Sequence, residues 1–184
     1  MRQHLAYAAA GAVVLALAGC GDDPEPQVAD PTSTPSSSSS PSKSAAAEKE
    51  PWEKKTPEGA MAFSERWVSE FSTAFTTGHT EALKAASQAS CATCDSFINL
   101  IDDVYKNGGT IEGNPWKLQD PAWSAPNGAA GTVAVTGTMR VPAQTITRTG
   151  VPPSTAPPTE QPYIFELEWT RDAWRVSRLL RDSQ

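Results

Sequence analysis

Histidine and cysteine are scarce in this 184-residue chain, which has two of the first and three of the second. His4 sits at the extreme N-terminus, so any histidine-activated nucleophile in the later part of the chain has to use His79, and a two-histidine metal site cannot form there. Basic charge is not in excess either. Fifteen Lys/Arg stand against 21 Asp/Glu, and from residue 56 onward ten stand against fourteen. A nucleic-acid partner needs a basic footprint and is therefore not expected. Long apolar runs are missing as well. The longest spans Leu5 to Ala18, short of the ~20 residues a membrane-crossing helix requires.

What stands at the N-terminus is an address. Arg2 and His4 precede the apolar run, which closes on Leu17-Ala18-Gly19-Cys20. This is the layout of a secretory signal. Its last four residues resemble the lipobox of bacterial lipoproteins. The resemblance implies that residues 1–19 are removed, that Cys20 becomes the lipidated N-terminus, and that the chain is exported and held on the extracytoplasmic side of the cell membrane. The membrane, through the lipid on Cys20, is then the first partner, since two acyl chains anchor stably where one does not.

Residues 20–55 carry Asp22, Asp23, Pro24, Pro26, Pro31, the serine run 36–40, Pro41 and a charged stretch from Glu48 to Lys55. Almost nothing there can be buried, so the segment reads as a disordered tether. From Thr56 to Gln184 the apolar spacing becomes regular and predicts one domain.

Thr56-Pro57-Glu58 has the chemistry of a helix start, and Ala60, Phe63, Trp67, Phe71, Ala74 and Phe75 form one aromatic stripe ending at Gly78. A short helix follows from Thr80 toward Ser87. A third begins near Cys91, with Phe97, Ile98, Ile101 and Val104 on its apolar side, and ends at Asn107-Gly108-Gly109. Thr110–Glu112 predicts a short strand, residues 116–123 are ambiguous, and residues 133–141 alternate as a half-buried strand with a bulge or bend at Gly137. A proline-rich loop is expected over 149–162. Beyond it a hairpin turning at Arg171-Asp172 sets Trp169 opposite Trp174, Leu167 opposite Val176 and Glu168 opposite Arg175.

Three helices packed on a curved antiparallel sheet make an α+β fold. That order resembles the nuclear-transport-factor-2-like superfamily, which implies a cone with an internal cavity. The lipobox, the Ser/Pro tether, Thr56-Pro57-Glu58-Gly59-Ala60, Cys91-Ala92-Thr93-Cys94 and the last hairpin together resemble an actinobacterial lipoprotein family of uncharacterised function.

With Cys20 lipidated, Cys91 and Cys94 remain as a pair, most simply a disulfide in an oxidising compartment. A redox-active dithiol at a helix start is the sharper alternative. Asp102, Asp103 and Glu112 are candidate acids, but nothing pairs them with a second catalytic group, and no catalytic set, cofactor or metal site is expected. Trp116, Trp123 and Arg178 are the candidates for ligand binding. The tryptophans supply apolar wall, and the arginine, expected on the apolar face of its strand, would meet an acidic group unless it pairs with Glu166 or Glu168. The expectation is a non-catalytic binding or scaffolding domain for an envelope protein or a small apolar ligand. The alternatives are a small-molecule enzyme using the cone, or thiol-disulfide exchange.

Overall fold

The computed structural model of the protein describes residues 49–124 and 132–182. The signal, Cys20 and most of the tether lie outside the described residues. Helix α1 (Pro57–Thr77) starts where the sequence places it: the Thr56 hydroxyl accepts a hydrogen bond from the Gly59 amide at 3.1 Å. It ends on Gly78, whose φ of 78° is the left-handed conformation that glycine adopts without strain. Helices α2 (Glu81–Ala86) and α3 (Ala92–Lys106) follow. None of these helices is long and apolar enough to cross a membrane.

Before α1, Glu50 caps a single 3-10 turn (Pro51–Glu53) that packs on the domain. The Trp174 indole donates to the Lys54 carbonyl at 2.9 Å, and Arg66 lies 5.1 Å over the Trp52 ring. The boundary at Thr56 is thus the start of α1, and the turn ahead of it forms a strap over the domain.

Seven strands follow: β1 (Thr110–Gly113), β2 (Lys117–Ser124), β3 (Thr132–Val141), β4 (Gln144–Arg148), β5 (Val151–Ala156), β6 (Thr159–Thr170) and β7 (Ala173–Arg181). They form two antiparallel sheets, ordered β1-β4-β5 and β2-β3-β6-β7. The expected single curved sheet is therefore wrong. The strand expected over 133–141 is present as β3, and the chain leaves that sheet at Pro142-Ala143, where proline supplies no amide hydrogen for a ladder, so β4 pairs in the other sheet.

The expected loop over 149–162 is also corrected. Gly150, at φ 75°, closes a β4–β5 hairpin, and β5 keeps Pro152 and Pro153 because it is an edge strand with one side unpaired. The bend expected at Gly137 falls at the right level but on the neighbouring strand. The register of β2 shifts between Gln119 and Ala122, and a β-carbon at Gly137 would lie 2.7 Å from the Leu118 side chain. The last hairpin has the expected register, with Leu167 on Val176, Glu168 on Arg175 and Trp169 on Trp174.

The core lies between α1 and the inner face of the four-stranded sheet. Trp67, Phe71, Phe165, Met139 and Leu167 are fully buried there. Phe71 is its centre, with ring centroids 5.9 Å from Trp67, 5.3 Å from Phe75, 5.0 Å from Phe97 and 4.6 Å from Trp116. Such aromatic pairs each add about 0.5–1.5 kcal/mol beyond the area they bury.

Candidate functional site

The aromatic stripe of α1 is packing: Phe63, Trp67, Phe71, Ala74 and Phe75 are buried in the core. Trp116 belongs to this core. Its backbone amide donates to the Ser72 hydroxyl at 2.9 Å, its ring packs on Phe71, Phe75 and Phe97, and its buried indole Nε1 has no hydrogen-bond partner among the described residues. Trp123 lies elsewhere, on edge strand β2, with 39% of its surface exposed. The two tryptophans therefore do not share a wall.

Arg178 is placed by a feature the sequence does not announce. The register of the β6–β7 pair shifts between Glu166 and Leu167, so Ser177 turns inward and is buried while Arg178 turns out. Its guanidinium lies 3.3 Å from the Glu166 carboxylate, on the exposed face. The strict alternation that put it on the apolar face fails because a bulge inserts one residue.

The candidate acids and base are likewise dispersed. Asp102 faces α2: its carboxylate accepts from Thr80 Oγ1 at 2.9 Å, Lys106 Nζ at 3.0 Å and Lys84 Nζ at 3.1 Å. Partial burial raises its pKa, but hydrogen bonds from Lys106, Lys84 and Thr80 outweigh that and hold it at about 2. Asp103 accepts from the Asn107 amide at 3.0 Å. Glu112 is exposed on β1, and His79 is exposed after the end of α1. The Tyr105 hydroxyl is spent on the Phe75 carbonyl, and that of Tyr163 accepts from Arg181. These groups make separate contacts, and no cluster of metal-ligating side chains occurs among the described residues.

Cys91 and Cys94 are joined as a disulfide at the start of α3, and both are fully buried. Cys91 is the cap residue, its sulfur accepting from the Cys94 amide at 3.3 Å.

An open concavity lies on the other side of the sheet. Where the chain crosses between the two sheets, at residues 114–115, 142–143 and 158, it leaves an open groove of about 570 Å³ against β2, β3 and β6. Pro115, Val141, Pro142 and Pro158 form apolar walls, and Lys117, Arg140 and Glu160 supply charge. The three charged residues occupy directly paired positions on β2, β3 and β6, and Arg140 Nε lies 3.5 Å from Glu160 Oε1. Inward-facing Leu118 and Met139 alternate with Lys117 and Arg140, so this row lies on the face away from α1. Sequence reasoning missed the groove because its residues are spread from 114 to 160 and meet only through strand pairing. The available signal was Pro142-Ala143 interrupting an alternating strand.

A family model matches residues 31–179, well over half the sequence. The chain belongs to a family of unknown function, DUF6318. No curated protein matches this DUF6318 member. Among solved structures, the intermembrane space region of the chloroplast protein ARC6 is 13% identical over 71% of this chain and 99% of that one, with a TM-score of 0.53. A putative aromatic ring hydroxylase from Novosphingobium aromaticivorans is 12% identical over 70% of this chain and 91% of that one, at 0.47. An NTF2-like protein with a cystatin-like fold from the same organism is 11% identical over 67% and 82%, at 0.39. At such identities a likeness concerns the fold alone. The expectation of a family without assigned function is met by the DUF6318 chain.

Proposed function

We propose that the protein is a non-catalytic binding module, exported and held at the cell membrane by a lipid on Cys20, and that it binds its partner in the groove at Pro142. In this reading the Ser/Pro-rich segment that begins at Cys20 supplies reach, and the strap at Glu50–Lys55 marks where the folded module begins. The lipobox and tether sequences support the anchoring, as in the actinobacterial lipoproteins the chain resembles.

One observation carries the binding reading. The acids and the histidine that catalysis would draw on are scattered and committed to structural bonds or solvent, while the groove gathers residues of β2, β3 and β6 with the segments that cross between the sheets and is open to solvent. General acid–base chemistry needs two groups within reach of one substrate. The groove holds a salt-bridged carboxylate and two cations instead.

Replacing Thr159 with a photo-crosslinking residue in the full chain, in its own cell envelope, tests this reading. A specific adduct is expected from position 159, none from the exposed Val151, and none from position 159 once Ala143→Trp fills the groove. Equal labelling from both positions, or from neither, overturns it. Anchoring is tested separately: Cys20→Ala is expected to move the protein out of the membrane fraction and abolish incorporation of labelled fatty acid.

A further inference from the structure

We infer that the groove recognises an acidic peptide, its carboxylate taken by Lys117 and Arg140; this rests on the binding reading above. Lys117 and Arg140 are directly opposite each other across the β2–β3 ladder. Like charges at paired positions destabilise a sheet. The domain nevertheless places them together, although from residue 56 onward it has ten basic and fourteen acidic residues. Glu160 is the one carboxylate in the groove and pairs with Arg140, whereas Lys117 has no ion-pair partner among the described residues. The Arg140 and Glu160 side chains are 62% and 59% exposed, so their pair is cheap to open. An incoming carboxylate would bridge the two cations, with the guanidinium fork offering two parallel donors.

The walls argue for peptide over a compact metabolite. Small-molecule sites enclose most of their ligand, and this groove is open along one side. Pro115, Pro142 and Pro158 present rigid apolar surface against which an extended chain can lie, and the stems of Lys117 and Arg140 extend that surface. Binding here does not proceed by adding a strand: Pro121 and the bulge interrupt β2, and Pro152 and Pro153 interrupt β5. A nucleic acid would need a longer run of cations than these two.

The test uses fluorescence anisotropy with the full-length Cys20→Ala chain and three labelled probes: the capped pentapeptide Ala-Glu-Pro-Glu-Ala, its Gln counterpart, and a pentathymidine oligonucleotide. The Glu peptide is expected to bind roughly tenfold more tightly than the Gln peptide, and Lys117→Glu to remove about that advantage, since each charge-assisted contact is lost. Glu160→Gln is expected to strengthen binding about threefold by releasing Arg140, a gain that a purely structural role does not produce. Equal binding of the Glu and Gln peptides, no binding of either, or preference for the oligonucleotide overturns the acidic-peptide inference. If the Thr159 adduct still forms in those cases, the groove remains a binding site and only its ligand class was wrong. If that adduct is also missing, both readings fall.

Discussion

The Trp174 indole N–H donates to the carbonyl of Lys54, a residue 120 positions earlier, at 2.9 Å. This bond fastens the strap to the last hairpin, and it explains Gly59: a β-carbon there would run into the Lys54 carbonyl. Gly59→Ala, ordinarily favourable inside a helix, is expected to destabilise the domain by about 1–3 kcal/mol because backbone is the obstacle. Trp174→Phe should cost about 1 kcal/mol by removing this hydrogen bond. Urea unfolding of both variants measures this, and a stabilised Gly59→Ala would mean the strap does not sit on α1.

Two indoles predict unequal losses on the same substitution. Trp67 Nε1 donates to Ser87 Oγ at 2.9 Å, whereas Trp116 Nε1 has no partner among the described residues. Trp67→Phe is expected to cost about 2–3 kcal/mol, from a lost bond and a cavity. At Trp116→Phe the cavity cost is offset by removing an unsatisfied donor, leaving about 1 kcal/mol or less. Thermal unfolding of the pair decides it, and equal losses would contradict the hydrogen-bond assignment.

Asp102 predicts a pH dependence. Its carboxyl is held at about 2, below the ordinary 3.8, so the folded state binds the proton less readily than the unfolded chain does. The stability it contributes is full above pH 4 and is lost as pH falls toward 2. Asp102→Asn is expected to lower stability by about 1 kcal/mol at pH 7, with the difference from the parent closing near pH 2. A gap that stayed constant with pH would rule out the charge of Asp102 as its source.

The disulfide should behave as a structural bond. Cys91 and Cys94 are fully buried, so a thiolate cannot reach either sulfur without local opening. Mass spectrometry after incubation with glutathione is expected to show no mixed disulfide on the native chain, and rapid reduction once urea is added. Cys91→Ala/Cys94→Ala should cost about 2 kcal/mol, the figure for so short a loop. Ready formation of a mixed disulfide under native conditions would restore the redox alternative.

Local chemistry was the most readable part of the sequence. Thr56, Pro57 and Gly78 delimit α1 because capping and left-handed backbone depend on single residues, and the Trp169–Trp174 register followed from a short turn. What escaped was set by events inside strands. A single inserted residue at Ser177 reversed the facing of Arg178, and two residues, Pro142 and Ala143, divided one sheet into two. Prolines in 149–162 suggested a loop, yet an edge strand tolerates them because half its amides are never used. The groove depends on that division and so was out of reach of any local pattern.

The Pro142-Ala143 break gives the molecule a seam. Covalent chain crosses it, but the ladders on either side belong to different sheets, and the crossing segments 114–115, 142–143 and 158 line the groove, so a few backbone torsions set the position of that wall. Substitutions at the seam can thus reshape the mouth of the groove without touching the Phe71-centred core that holds the fold together.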